Sequence, residues 1–317
     1  MATYQRILII RYGGLGDFIL TLPLLAALRE ISPGGHVTFM GKREFASLAE
    51  GVYIDAIESV EKHGISTFFI KDGELDPGLS EFFASFDLIL SFRTDHEGIF
   101  AANLRRVAKG RVVVSSPSPD KTGVHASDFL LSALDQADID WKQFPAPVPL
   151  LPFEAREKGD IIAIHPGSGS AAKCWSVDRY IELAGRVEGE TKLRPVLIFG
   201  PAEEGIRHRV GWHFSAYDNR EIHEVASFLK GCRAHVGNDS GITHLAAALG
   251  VPTLALFGPT DPAVWAPRGA HVKVLEGEAD CAPCTEEERR QCRNRVCLDS
   301  LTVDTVYGEL VKLTAEN

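Results

Sequence analysis

The stretch RILIIRYGGLGD, residues 6–17, decides the fold of the first half of the chain. Its first part, Arg6–Arg11, is an apolar run of strand length, and a glycine-rich turn follows it. Apolar side chains then recur at helical spacing over residues 18–31 and stop before Ser32. With the next apolar run, residues 36–41, this order predicts one βαβ unit of a parallel sheet.

Short apolar runs alternate with amphipathic stretches along the rest of the chain, which is typical of repeated βα units. Further strands are predicted over Phe86–Phe92, Arg111–Ser115, Ile161–His165, Pro195–Gly200, Ala234–Val236 and Thr253–Phe257, and further helices over Val177–Val187, Glu221–Lys230 and Gly241–Leu249. The chain is therefore predicted to be an α/β protein with parallel sheets.

One stretch interrupts this alternation. Phe144–Pro152 holds four prolines in nine residues, a composition that neither a helix nor a central strand tolerates. We interpret it as a linker between two doubly wound domains, residues 1–150 and 151–317. Ligands of such folds bind at the carboxyl ends of the strands, so we expect both sheets to open on a central cleft.

Composition and charge exclude several classes of function. The 317 residues include 33 Lys+Arg and 43 Asp+Glu, a net charge of −10 that repels nucleic acid. The sequence has no signal-peptide pattern, and no apolar run reaches the roughly 18 residues of a membrane span. We therefore expect a cytoplasmic globular protein with no nucleic-acid partner.

Three predicted strand-to-helix junctions carry the polar residues of interest. Asp17 ends the first, Lys173 follows the Gly/Ser loop of the second, and Asp239-Ser240-Gly241 open the third. Backbone amides at such junctions bind anions, and a carboxylate there can act as a base. Each feature also has a structural interpretation: Asp17 as a helix cap, the loop as a turn, and His244 as a core histidine.

The first junction does not fit a dinucleotide site. Gly14-Leu15-Gly16 lacks the third glycine, and Gly41-Lys42-Arg43 follow the second strand where an acid would bind a ribose hydroxyl. An NAD-dependent oxidoreductase is therefore the weakest of the functions considered.

Taken together, the motifs resemble glycosyltransferase family nine, the ADP-heptose:lipopolysaccharide heptosyltransferases. The resemblance is carried in order by Arg6–Ile10 with Gly14–Asp17 and Thr21–Pro23, by His165–Gly167 with Lys173 and Trp175, by Val236–Gly241 with His244 and Ala246-Ala247, and by Phe257–Pro262. It extends from the first strand to near residue 300.

The resemblance implies a GT-B fold of two Rossmann-like domains, the first binding the acceptor and the second a nucleotide sugar. It implies an inverting transfer without a catalytic metal or other cofactor, with Asp17 as general base and Lys173 stabilising the departing diphosphate. The donor-binding residues expected from it are Gly14, Gly16, His165, Gly167, Ser168, Asp239, Ser240, Gly241 and His244. A C-terminal helix could pack back on the first domain.

The acceptor site follows no motif that the resemblance transfers. Arg105 and Arg106 belong to the densest basic cluster of the first half and are candidates for an acidic saccharide or lipid. The alternative is a solvated helix face. A lipid acceptor would bring the protein into peripheral contact with the inner face of the membrane.

The cysteines of the second half form a separate pattern. Cys281, Cys284, Cys292 and Cys297 are spaced Cys-x2-Cys-x7-Cys-x4-Cys, and the first pair has the spacing of a zinc knuckle. A structural zinc or iron site is one interpretation. Free or buried thiols are the alternative, because the later spacings match no standard site.

The function predicted from the sequence is heptose transfer from ADP-heptose to an acidic acceptor of the lipopolysaccharide core. The alternatives are a GT-B enzyme that uses another nucleotide sugar or a protein acceptor, and a non-catalytic protein that only binds nucleotide sugars. Asp17 and Lys173 together argue against the last, because binding alone needs no base.

Overall fold

The computed structural model describes residues 4–119, 123–143, 151–154, 159–211 and 213–315. The chain divides into two compact units, Met1–Pro149 (unit 1) and Leu150–Asn317 (unit 2). Most of the predicted linker, residues 144–150, lies outside the described part of the chain.

Unit 1 alternates strands and helices. Its strands are β1 (Arg6–Arg11), β2 (His36–Met40), β3 (Ala56–Glu58), β4 (Leu88–Phe92) and β5 (Arg111–Ser115), and its helices are α1 (Leu15–Ile19), α2 (Leu22–Ile31), α3 (Arg43–Ala46), α4 (Pro77–Ala84), α5 (Ile99–Val107), α6 (Ala126–Leu131) and α7 (Ala133–Gln136), with 3-10 turns at Ser47–Ala49 and Ile65–Phe69.

The described strands of unit 1 form one parallel sheet in the order β3-β2-β1-β4-β5. In β1, Ile7 to Ile10 are buried, as expected for a central strand with helices on both faces. Arg11 of β1 is opposite Phe92 of β4, so the residues that follow these two strands come to the same edge of the sheet. One face is covered by a cluster that includes Phe83 and Leu104.

The helix predicted over residues 18–31 is interrupted. It forms α1 and α2, and α2 begins at Leu22 with Pro23 in its first turn. Pro23 has no amide hydrogen for the carbonyl of Ile19 and would clash with it, which prevents one continuous helix. The interruption leaves Asp17 on a short helix immediately after β1.

Unit 2 repeats the alternation. Its strands are β6 (Ile161–His165), β7 (Arg194–Phe199), β8 (Ser215–Asp218), β9 (Ala234–Asn238), β10 (Thr253–Phe257) and β11 (Val272–Glu276), and its helices are α8 (Val177–Glu190), α9 (Glu204–Val210), α10 (Ile222–Lys230), α11 (Gly241–Ala248), α12 (Pro262–Trp265), α13 (Glu286–Gln291), α14 (Val296–Asp299) and α15 (Val303–Ala315), with 3-10 turns at Ala171–Lys173 and Pro201–Glu203.

The described strands of unit 2 form a parallel sheet in the order β11-β10-β9-β6-β7-β8. Numbered within the unit this is 3-2-1-4-5-6, the Rossmann order. Its core includes Trp175 and Tyr180, whose rings meet edge to face with centroids 5.0 Å apart. The C-terminal helix α15 packs on α8 within this unit, and a further contact with the first domain stays a prediction.

The predicted α/β class and the parallel sheets are confirmed. The strands β3, β8 and β11 were not predicted, because β3 has three residues and the other two are partly exposed edge strands without a continuous apolar run. Among the helices that the structure describes, none combines the length and apolarity needed to cross a bilayer.

Candidate active site

The strand order of each unit marks one position for a ligand. In a doubly wound sheet, ligands bind outside the carboxyl ends of the two strands where the order reverses. In unit 1 these strands are β1 and β4, and in unit 2 they are β6 and β9. The three predicted junction loops follow β1, β6 and β9, so each lies at such a position.

In unit 1, the Asp17 carboxylate is oriented by two donors. Its Oδ2 accepts a 2.8 Å hydrogen bond from the amide of Gly14, and its Oδ1 lies 3.3 Å from the guanidinium of Arg11. The Asp17 side chain is still 42% exposed. A carboxylate has about four acceptor positions, so Asp17 can accept a further hydrogen bond from a bound hydroxyl.

Arg11 is a site residue that the sequence analysis did not identify. Its side chain is only 2% exposed, and Nε and Nη1 donate to the carbonyls of Asp17 and Pro117. Burial lowers the pKa of Arg11, and the Asp17 charge partly offsets this effect. The sequence feature that could have identified Arg11 is its position as a charged residue at the end of an apolar, buried strand. Gly14 and Gly16, predicted to bind the donor, also lie here in unit 1.

In unit 2, the Asp239 carboxylate joins three loops. Its Oδ2 accepts from Lys173 Nζ at 3.0 Å and from the Thr260 hydroxyl at 2.8 Å, while Ser168 donates to the Asp239 carbonyl at 2.7 Å. Asp239 is buried, but the Lys173 side chain is 21% exposed. The ammonium has three donors, so those not bound to Asp239 can meet an anionic ligand. Thr260 was not among the predicted site residues.

A directed hydrogen-bond network lies under this site. The Thr243 hydroxyl donates to the Asn238 carbonyl at 2.6 Å, so it must accept from Ser240 Oγ, 3.1 Å away. Ser240 in turn accepts from His165 Nδ1 at 3.1 Å, and Thr243 also accepts from His235 Nε2 at 3.3 Å. This pattern needs His165 protonated on Nδ1 and His235 on Nε2, and both rings can be neutral.

Both histidines are fully buried, and this determines how they titrate. Burial lowers the pKa of His165 to about 4. Burial lowers the pKa of His235 to about 3, with a smaller contribution from His165. Below the ordinary histidine pKa of about 6.5, the unfolded chain binds protons that the folded chain does not.

We expect the free energy of unfolding to decrease as the pH falls from about 6.5 toward 4, by about 1.4 kcal/mol per pH unit for each histidine. Urea unfolding of the wild type and His235→Gln across this range measures it. Because glutamine does not titrate, the free energy of unfolding of the variant should fall less steeply with decreasing pH, by about 1.4 kcal/mol per pH unit. Equal slopes would contradict the burial of neutral His235.

The amide of Asn238 connects the strand β9 to the loop after β6. Its Nδ2 donates to the carbonyls of Pro166 and Gly167, and its Oδ1 accepts from the amide of Trp175 and the hydroxyl of Tyr180 at 2.9 and 3.0 Å. Asn238 is completely buried. All hydrogen-bonding capacity of one side chain is thus used to fix the loop that carries Ser168 and Lys173.

Gly167 is required where it stands because of a close approach. A Cβ at this position would lie 2.4 Å from Cγ and Oε1 of Glu203, a buried carboxylate whose Oε2 accepts from the amide of Gly200. Close packing against Glu203 therefore explains why this position needs glycine. Its predicted role in donor binding stays a prediction.

The structure thus brings together His165, Gly167, Ser168, Lys173, Asp239, Ser240 and Gly241 in unit 2. His244 lies buried in α11 of the same unit. Asp17 belongs to unit 1.

The two arginines predicted for the acceptor lie elsewhere in unit 1. Arg105 and Arg106 are in the last turn of α5, which leads into the start of β5, so they lie toward the sheet edge opposite Asp17. Arg106 donates to the carbonyl of Gly73 and to Asn103 Oδ1. The structure does not bring either arginine to the carboxyl edge of the sheet.

The four cysteines are close in sequence and influence one another. Burial raises the pKa of the Cys284 thiol, and the charges of Cys281, Cys297 and Cys292 add to the effect. Across the described part of the chain, no three His, Cys, Asp or Glu side chains are arranged to hold a metal ion. The structural metal site stays a prediction from cysteine spacing.

Sequence comparison with known proteins identifies one family. The model of the family "Glycosyltransferase family 9 (heptosyltransferase)" matches residues 131–294. Lipopolysaccharide heptosyltransferase 1 of Pseudomonas aeruginosa is 27% identical to the chain over 340 residues, which cover 90% of each protein.

Solved structures agree on the fold. The family 9 glycosyl transferase from Veillonella parvula is 21% identical and superposes with a TM-score of 0.78 over 100% of this chain and 99% of that one. The E. coli heptosyltransferase WaaC with ADP is 19% identical and superposes with a TM-score of 0.73 over 97% of this chain and 99% of that one.

Proposed function

The chain belongs to glycosyltransferase family 9, and from this we propose that it moves heptose from ADP-heptose to an acidic acceptor with inversion at the anomeric carbon. It is a glycosyltransferase of the GT-B fold that transfers heptose in lipopolysaccharide core biosynthesis.

The observation that carries the proposal is the pairing of Lys173 with Asp239 beside the start of α11. ADP occupies the related WaaC structure. In this chain, a diphosphate at the β6/β9 position would meet the Lys173 ammonium and the free amides at the α11 N-terminus, where Ser240 is the cap. Ser168, Asp239 and Thr260 hold these groups in place. Unit 2 is thus proposed as the donor unit.

Asp17 is proposed as the general base of unit 1. It would take the proton from the acceptor hydroxyl as that oxygen forms its bond to the anomeric carbon of heptose. The bond from this carbon to the diphosphate breaks in the same step, and Lys173 would stabilise the negative charge that remains on ADP. This single displacement inverts the anomeric carbon and needs no metal.

The acceptor is proposed to be an acidic saccharide of the lipopolysaccharide core that is attached to lipid. Such an acceptor would bring unit 1 to the inner face of the membrane as a peripheral protein. Tyr12, which precedes the Asp17 loop, is 58% exposed, and the Lys42 ammonium lies 5.4 Å from the centroid of its ring, so both side chains are candidates for such contacts.

Calorimetric titration with ADP, GDP, UDP and NAD tests the donor unit without knowledge of the acceptor. We expect ADP to bind more tightly than the other three nucleotides. Transfer from ADP-heptose to lipopolysaccharide of a heptose-deficient strain, followed by mass spectrometry, then tests the reaction. Tighter binding of UDP or GDP would show that the donor is a sugar nucleotide other than ADP-heptose. Failure to bind any of the nucleotides would overturn the proposed role of unit 2.

A further inference from the structure

Arg93 is a cation that the mechanism above does not use. It directly follows β4, and its amide donates to the carbonyl of Ser115 in β5. Because β1 and β4 are neighbours, Arg93 lies at the same edge of the sheet as Asp17, one strand away. This is the position where the strand order of unit 1 reverses.

Two aromatic rings hold the Arg93 guanidinium. Its Cζ lies 4.2 Å from the ring centroid of Phe69 and 4.7 Å from that of Phe100, and these two rings stack with centroids 5.0 Å apart. Stacking on aromatic faces orients a guanidinium without using its hydrogen-bond donors. The donors of Arg93 are thus held in a fixed plane.

Those donors have no partner in the described part of the chain. Nε of Arg93 is buried and makes no hydrogen bond. Burial lowers the pKa of Arg93 and the charge of Asp95 partly offsets this effect, but no carboxylate of the described residues lies within ion-pair distance of the guanidinium. The neighbouring acid, Asp95, accepts instead from the amides of Phe100 and Ala101. A buried donor without a partner is costly. Because Nε is enclosed by protein, the terminal nitrogens of this partly exposed side chain are the donors that a ligand can reach.

A cavity of about 380 Å³ lies next to this guanidinium. Its lining includes Arg93, Asp95, His96, Ser115 and Ser116. The volume is within the range of about 300–1,000 Å³ that is usual for small-molecule sites. Hydroxyls and a cation around such a space suit a sugar that carries an anionic group.

We propose that Arg93 binds an anionic group, a carboxylate or a phosphate, of the sugar acceptor in this cavity. This inference rests on the proposed function and adds a specificity-determining residue to unit 1. The guanidinium forms paired, charge-assisted hydrogen bonds with the anion and thereby places the acceptor beside Asp17. Arg93 contributes mainly to acceptor binding, because no bond changes at the anion during transfer.

Arg93→Met tests the proposal, because methionine keeps an apolar stem against Phe69 and Phe100 but has no charge. We expect KM for the heptose-deficient acceptor to rise about 10- to 100-fold, with kcat within about twofold. Arg93→Lys should recover part of the affinity. Arg6→Met is the matched control, because Arg6 lies over Phe86 at the opposite end of the same sheet. Thermal unfolding of each variant checks that it folds.

Chemically altered acceptors identify the anion. Dephosphorylated and carboxyl-reduced acceptors are each compared with the intact one. The acceptor without the group that Arg93 binds should have a raised KM in the wild type and no further rise in Arg93→Met. The proposal would be overturned if Arg93→Met raised KM by the same factor for the intact, the dephosphorylated and the carboxyl-reduced acceptor. An unchanged KM of Arg93→Met for the intact acceptor would also overturn it.

Calorimetric binding of the acceptor without donor separates this inference from the proposed function. Binding that depends on Arg93 without any transfer by the wild type would overturn the proposed function and leave the anion site standing. Transfer by the wild type, together with acceptor binding that does not depend on Arg93, would support the proposed function and overturn the anion site.

Discussion

Replacing Asp17 by asparagine is expected to lower the turnover of heptose transfer by about 10²- to 10⁴-fold, the usual contribution of a general base. Asparagine keeps one oxygen, which can accept from either the Gly14 amide or Arg11, while its Nδ2 takes the position of the other carboxylate oxygen and cannot accept. The effect should fall on kcat, because a base acts in the transition state. Steady-state kinetics with ADP-heptose and a heptose-deficient acceptor measures it.

ADP affinity is the control for this variant. Asp17 belongs to unit 1 and the proposed ADP site to unit 2, so calorimetry should give nearly the wild-type affinity. Arg11 is buried and loses the charge of Asp17 in this variant, although its hydrogen bonds to the carbonyls of Asp17 and Pro117 can remain, so we expect Asp17→Asn to fold but to unfold at a lower temperature than the wild type. A simultaneous loss of folding and ADP binding would show that Asp17 is a structural cap.

Replacing Lys173 by methionine is expected to lower turnover by about 10²- to 10³-fold, the scale reported for removal of one electrostatic stabiliser of a developing anion. The negative charge on the diphosphate grows as the bond to heptose breaks, so the ammonium matters more in the transition state than in the bound donor. Single-turnover kinetics separates this chemical step from product release.

Stability complicates Lys173→Met, because the buried Asp239 carboxylate loses its cation and keeps only the Thr260 hydroxyl. An uncompensated buried charge is destabilising. The double variant Lys173→Met with Asp239→Asn removes both charges, and we expect it to regain stability while turnover stays low. Near-normal turnover in a folded Lys173→Met enzyme would remove Lys173 from the mechanism.

The elements that could be predicted from the sequence are those with a local signal. The central strands, such as β6 and β10, are continuous apolar runs because helices cover both of their faces. The junction residues Asp17 and Asp239 directly follow such strands, so their position at a sheet edge could be predicted as well. Their catalytic and binding roles stay predictions.

What could not be predicted depends on the order of strands in the sheet. Lys173 and Asp239 are 66 residues apart, and Thr260 is a further 21 residues away, yet their side chains meet. The same holds for Arg93, which lies beside β1 only because β4 pairs with it. Arg105 and Arg106 were predicted as acceptor ligands from the local density of positive charge. Charge density does not show at which end of a helix, or at which edge of the sheet, a ligand binds.

The four hydrogen bonds of Asn238 have a consequence for the thermodynamics of the proposed donor binding. They tie the loop from Pro166 to Trp175 to β9, and the Trp175 indole adds a further bond within unit 2 by donating to the carbonyl of Leu301. Immobilising a side chain on binding costs about 0.5–1.5 kcal/mol of conformational entropy. If unit 2 is the donor unit, as proposed, that cost is met when unit 2 folds, and we expect the contacts of the nucleotide sugar to be available for affinity and for lowering the barrier.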